Sequence, residues 1–222
     1  MADNQPVVLD ALGENSTIVF DTSDGSTVLQ AEIPILNLVP ETAPILKEVM
    51  PEYNFQKQEI GQFKTAADLA SSLIETCKKY NGIGLSANQV GIKARVFVMG
   101  AGKEFVAFFN PKIVASSTEE VHMVEGCLSF PYLGLYITRP SGVVVDYQDF
   151  EGKSHQTNLT GMSARCFLHE LDHMNGIVYT EKSKPLALKQ ALKKRDKINK
   201  LIHKTNKNLE KLEKNGNTSR IR

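Results

Sequence analysis

Apolar and polar positions along this chain follow two different periods. Short runs rich in Val and Phe, ARVFVM, EFVAFF and GVVVDYQDF, are punctuated by Asn-Pro and Glu-Gly pairs and predict strands joined by tight turns. TAADLASSLIETCKKY carries good helix formers behind a cap candidate, Thr65, with an acid early and lysines late. It predicts a helix that ends in the Asn81-Gly82 turn. A second helix is expected to start between Gly161 and Ser163, to carry ARCFLHELDHM and to stop at Asn175-Gly176. Such a mixture predicts an α+β domain in which sheets pack around this second, buried helix.

Two flanking regions break the pattern. From Pro185 to about Lys214, Leu186, Leu188, Leu192, Ile198, Leu201, Ile202, Leu209 and Leu212 are spaced as an apolar stripe on one long helix whose other face is basic. That helix either packs its stripe on the domain and solvates its lysines, or offers the basic face to RNA or a ribosome surface through phosphates. The first thirty or so residues mix Gly, Ser and Asp with STIVF and TVLQAEI, and read as a polar arm with one or two edge strands. The closing NGNTSRIR reads as a frayed end.

Composition narrows the class. A chain of 222 residues with 41% hydrophobic content suits one domain with appendages and a real core. Lys+Arg of 26 against Asp+Glu of 25 implies neither a nucleic-acid coat nor an acidic ligand. Cys77, Cys127 and Cys166 are an odd, widely spaced set, which argues against a disulfide framework and for a reducing, cytoplasmic setting. The N-terminus has the pattern of neither a signal nor a transit peptide, and no apolar run approaches the roughly 18 residues of a membrane span. The Asn-X-Ser/Thr triplets at Asn15, Asn158 and Asn217 are read as chance composition.

The candidate chemistry lies on the second helix. His169-Glu170-Leu171-Asp172-His173 is an H-E-x-x-H run, and the i, i+4 spacing puts both imidazoles on one helix face where a single ion can join them. Glu170 lies beside the first of them, where a carboxylate can reach a metal-bound water. The same run also occurs by chance on solvated helices, so a third ligand matters. Tyr179 stands where one extended pattern would place a third His, and the next acids, Glu181 and Asp196, fall in an apparent loop and on the basic helix. Cys127, beside Gly126, is the strong candidate, although a lone Cys is also commonly a small core residue. His122 is a weaker alternative, and Cys77 and Cys166 are core candidates.

Three separated segments together resemble the peptide deformylase family. Its opening motif, Gly-apolar-Gly-apolar-Ala-Ala-x-Gln, is matched by Gly82-Ile83-Gly84-Leu85-Ser86-Ala87-Asn88-Gln89. Its Glu-Gly-Cys-Leu-Ser is matched in full by residues 125–129, and its His-Glu-x-Asp-His by residues 169–173. The resemblance spans roughly residues 35–180 and implies a hydrolase that removes the formyl group from N-formylmethionyl nascent polypeptides. Its cofactor would be one divalent metal ion bound by Cys127, His169 and His173, Fe(II) in the cell, with Zn(II), Ni(II) or Co(II) also accepted. It further implies a metal-activated water, Glu170 as general base, and Gln89 with the Leu128 backbone N–H steadying the oxyanion. The substrate would lie extended near Gly84, and Ile83, Phe130, Leu135 and Met162 could supply apolar surface for its Met side chain, although each by itself reads more readily as plain core.

On this basis the expected architecture is α+β, with antiparallel sheets packed around a central metal-binding helix and a long C-terminal helix. The chain divides into an N-terminal polar arm (1–32), a catalytic domain (33–182) and a basic amphipathic helix with its tail (183–222). A Glu125–Arg139 pair is expected to brace the Cys127 loop, and Asp172 to orient a ligand. Three departures from the family pattern are expected to matter. Ser86 replaces an Ala and brings a hydroxyl that needs a partner; Gly134 stands where an Arg is common; and Arg165 falls where an apolar pocket wall is expected. Two other readings stay open, a zinc peptidase that cuts internal bonds and an RNA-associated protein with a structural metal.

Overall fold

The computed structural model describes residues 9–10, 33–57 and 59–217. Of the expected N-terminal arm only β1 (Leu9–Asp10) falls among them. The other expectations for residues 1–32, and for residues 218–222 of the frayed end, lie outside the described residues.

Helix α1 (Ala66–Lys79) starts where its sequence demands. Asp68 N–H donates to Thr65 Oγ1 at 3.1 Å while Thr65 N–H donates to Asp68 Oδ2 at 3.0 Å, a reciprocal cap for two otherwise unpaired donors. It stops because Asn81 turns left-handed, at φ 54°, and Gly82 N–H closes back onto the Cys77 carbonyl. Its inner face, Leu69, Ala70, Leu73, Ile74 and Cys77, is buried in one core cluster with Val96, Val98, Phe105 and Phe109.

Those partners belong to an antiparallel sheet made of β2 (Gly84–Ser86), β3 (Val96–Ala101), β4 (Glu104–Ser116), β7 (Gly142–Gln148) and β8 (Ser154–Thr160), in that spatial order, with β1 paired to β4. The Asn110-Pro111 pair does not end β4 as its sequence suggests. The strand runs on through a register shift between Phe109 and Lys112, with Asn110 at φ 49°. The Asn110 amide binds the backbone N–H and C=O of Tyr53 and the Gln148 side chain, which replaces the missing ladder bonds. A separate hairpin pairs β5 (Glu120–Cys127) with β6 (Phe130–Pro140). Along β6 the burial alternates, with Leu133, Leu135, Ile137 and Arg139 inward and Gly134, Tyr136 and Thr138 outward.

Helix α2 (Gly161–Met174) lies between these layers, and every residue from Ala164 to Met174 is buried. A helix covered all round is enclosed by protein on each side, and here that environment surrounds the His, Glu and Asp side chains of the motif. Gly176 ends it at φ 69°, where a Cβ would come within 2.7 Å of the Lys47 carbonyl oxygen. The expected long C-terminal helix is α3 (Pro185–Asn217). Only its first turns follow the expected packing: Leu188, Ala191 and Leu192 sit on the β6 core, and Arg195 pairs with Glu41 at 2.6 Å. Leu186 is exposed within the first turn, and Leu201 and Leu209 are exposed because the domain offers the stripe no surface beyond the first turns. Among the described residues no helix is long and apolar enough to cross a membrane.

Candidate metal centre and active site

Cys127 closes β5 and faces the side of α2 that carries His169 and His173, so three separated residues meet at one point. Their donor atoms all lie within 4.8 Å of one another, and Cys127 Sγ is 3.3 Å from His173 Nε2. His169 Nδ1 contacts Glu125 Oε2 at 3.0 Å. The carboxylate can only accept, so Nδ1 donates to it and Nε2 is the nitrogen whose proton a metal ion would replace. Tyr179 packs its ring on His169, with centroids 5.5 Å apart, and anchors its hydroxyl on the Leu133 carbonyl at 2.6 Å. It therefore supports the imidazole from the position where one extended pattern places a third His.

The electrostatics suit a cation. Burial pushes the His169 imidazole down, but hydrogen bonds with Cys127 and Glu125 and the charges of Glu170 and Cys127 outweigh it and bring it up to about 10. The negative field that holds a proton there would equally favour a divalent ion. His173 is held well below the usual range by burial, His169 and Arg139, so its ring stays neutral, the form that ligates metal. A sulfur and two imidazoles beside an open cavity are the donor set of a hydrolytic metal site with one position left for water or substrate. His122 is exposed, bonded to Thr138 and stacked on Tyr136, and stands outside the cluster.

A buried ionic network fixes this geometry. Arg139 forms a two-pronged bond to Glu125, Nε to Oε1 at 2.6 Å and Nη2 to Oε2 at 2.8 Å, and Nη1 reaches Asp172 Oδ2 at 2.6 Å. Burial pushes the Glu125 carboxyl up, but bonds from Arg139, His169 and Arg165 win and hold it well below the ordinary carboxylate range. The carboxylate that orients His169 is thus Glu125. Asp172, expected in that role, binds Arg139 and Lys182 instead. Arg165 also departs from expectation. It borders the cavity, but its guanidinium is committed to Glu125 at 2.9 Å and to the Ile137 and Val121 carbonyls, so it brings no unpaired charge to the wall.

A cavity of about 770 Å³ opens beside the cluster, lined by Ile83, Gly84, Phe130, Met162 and Cys166 among others. Leu135 sits in the core cluster beneath β6, the alternative its sequence left open. Glu170 also lines the cavity, and burial raises its carboxyl above the ordinary value against the opposing influence of His169 and Ser86. Gly84 permits this placement, since a Cβ there would lie 2.5 Å from Glu170 Oε1. Gln89 Oε1 accepts from Ser86 N–H at 2.9 Å, so its NH2 end faces Cys127 Sγ at 3.3 Å and Ser129 Oγ at 3.1 Å. Leu128 lies in the turn after Cys127 on the same wall, and Gly82 leaves it room, because a Cβ there would meet Leu128 Cδ1 at 2.7 Å. Ser129, Asn88 and Tyr179 are supports that no single-residue pattern marked. Asn88 Nδ2 binds the His173 carbonyl at 2.8 Å and so ties the glycine-rich segment to α2.

Known proteins resemble this chain over most of its length. The Polypeptide deformylase family model matches residues 35–189. A peptide deformylase of Thermotoga neapolitana is 45% identical over 123 residues, covering 55% of this chain and 74% of the relative. One of Finegoldia magna is 37% identical over 144 residues, covering 64% of this chain and 85% of the relative. The crystal structure of a peptide deformylase from Legionella pneumophila aligns with TM-score 0.67 and 28% identity over 77% of this chain and 98% of that one. One from Synechococcus elongatus, in complex with actinonin, aligns with TM-score 0.65 and 29% identity over 72% of this chain and 88% of that one.

Proposed function

This chain belongs to the polypeptide deformylases, metal-dependent hydrolases that remove the N-terminal formyl group from formylmethionyl peptides, and we propose that Cys127, His169 and His173 hold its ion while Glu170 is the general base. The observation that carries this assignment is that the three donors come within 4.8 Å of one another, with Cys127 and His169 on the wall of the cavity that Glu170 also lines. A divalent ion bound there supplies an acidified water and Lewis-acid pull on the formyl carbonyl. Glu170 takes the proton released by the attacking water and passes it to the departing amine. The Gln89 amide and the Leu128 N–H donate to the oxygen that gains charge, and do so without bringing a positive charge of their own. The peptide lies extended past Gly84 on β2, the end strand of the sheet, with its first side chain against Ile83, Phe130 and Met162. Fe(II) is the proposed working ion, and the same donors accept Zn(II), Ni(II) and Co(II). Three free thiols, one of them a proposed ligand, favour the cytoplasm as the place of action.

Protein prepared anaerobically with Fe(II) or Ni(II) is expected to release formate from a short formyl-Met peptide, and a chelator should abolish the release until the ion is restored. Cleavage of an internal bond in an unformylated peptide would instead make the chain an endopeptidase.

We assign residues 33–182 to catalysis and residues 183–222 to docking. In α3, ten Lys or Arg stand against three acids, and the helix outruns its own packing, which supports contact of the basic face with ribosomal RNA phosphates. Truncation after Lys197 keeps the packed turns. It should leave turnover of short peptides unchanged while ribosome co-sedimentation, and its salt sensitivity, disappear. Equal co-sedimentation by the truncated chain would reduce α3 to a solvated packing helix.

A further inference from the structure

Ser86 sits between the two polar side chains proposed to act on the substrate. It is fully buried, and its Oγ donates to Glu170 Oε2 at 2.5 Å. Its backbone N–H donates to Gln89 Oε1 at 2.9 Å, which any residue at this position could do, whereas the hydroxyl bond is particular to Ser. The two carboxylate oxygens of Glu170 consequently have different surroundings. Oε2 is tied to the hydroxyl, and Oε1 lies over Gly84, 2.5 Å from where a Cβ would stand.

We propose that the Ser86 hydroxyl is a positioning group for the base: it anchors Glu170 Oε2 and thereby aims Oε1 over Gly84 as the oxygen that accepts and returns the proton. The inference rests on Glu170 being the base. The physical requirement is geometric. A proton-accepting atom has to stay within hydrogen-bond reach of its partner throughout the transfer, and displacement by about 1 Å costs roughly 10²-fold in rate. A carboxylate on a flexible side chain, with one oxygen fixed and a glycine beneath the other, has little freedom to leave that position. With the Ser86 hydroxyl removed, Oε2 loses a buried donor and the carboxylate can turn about its last torsion.

The test is Ser86→Ala in the metal-loaded, full-length enzyme, with turnover of a formyl-Met peptide measured beside metal content and thermal midpoint. The expected result is a fall in kcat of about tenfold with KM and metal content unchanged, because the peptide and the ion touch other groups, and a midpoint lowered only by the loss of one buried donor. A second arm places Ser86→Ala in a Glu170→Asp background, whose shorter carboxylate has already withdrawn from the hydroxyl. There the serine change should add nothing, since the two residues act as one unit. A kcat within twofold of wild type, or an equal loss in both backgrounds, would show that Ser86 does not act through Glu170 and would overturn the proposal. Wild-type turnover that Glu170→Ala leaves intact would sink the base assignment itself, and the role of Ser86 with it.

Discussion

Glu170→Ala is expected to lower kcat for a formyl-Met peptide by roughly 10²- to 10⁴-fold, the range general-base groups contribute, while the ion stays bound. Metal retention follows from the geometry, since the clustered donors are Cys127, His169 and His173 and the carboxylate is not among them. The pH dependence has a definite sign. Burial raises the Glu170 carboxyl above its ordinary value of about 4.3, with His169 and Ser86 opposing. That direction is the metal-free protein's, and a divalent ion beside the carboxyl would draw it back down. A base works when deprotonated, so in the loaded enzyme activity should fall as pH drops through the carboxyl's value, and this acid limb of kcat should vanish in the variant. Metal analysis and a pH–rate profile check both statements, and a variant that keeps wild-type turnover would remove Glu170 from the chemistry.

Arg139→Ala should cost about 3–5 kcal/mol of stability, the range for breaking a buried ion pair by deleting one partner. The guanidinium bridges Glu125 and Asp172, and Glu125 in turn orients His169, so metal affinity should fall together with the unfolding midpoint. Here too the sign can be worked out. The folded-state pKa of Glu125 lies well below the usual range, despite burial, through Arg139, His169 and Arg165. Its stabilisation is present above the unfolded value of about 4.3 and is lost as pH falls from there toward the depressed folded value. The difference between wild type and variant should accordingly be full at neutral pH and shrink below about pH 4. Denaturant melts of both proteins across that range measure it, and equal midpoints at neutral pH would show that the network does not brace the site.

By itself the sequence determined what depends on local chemistry. The Thr65 cap and Asn81 turn bound α1, and Gly176 ends α2, because caps and left-handed turns are decided within a few residues. His169 and His173 had to share a helix face once that helix formed. The three deformylase-like segments were likewise legible before any contact was known. Tertiary structure decided the rest. That Glu125 rather than Asp172 orients His169 depends on how the β5–β6 hairpin docks on α2, which no spacing along the chain encodes. Arg165 read as a charge in an apolar wall, yet two carbonyls of that hairpin and Glu125 neutralise its demand. The expected stripe on α3 followed from periodicity, but periodicity does not say where the domain surface ends, and Leu201 and Leu209 lie beyond it. Ser86 could be seen to need a partner, and only folding placed that partner, Glu170, eighty-four residues away, because burial pairs polar groups by proximity in space and not along the chain.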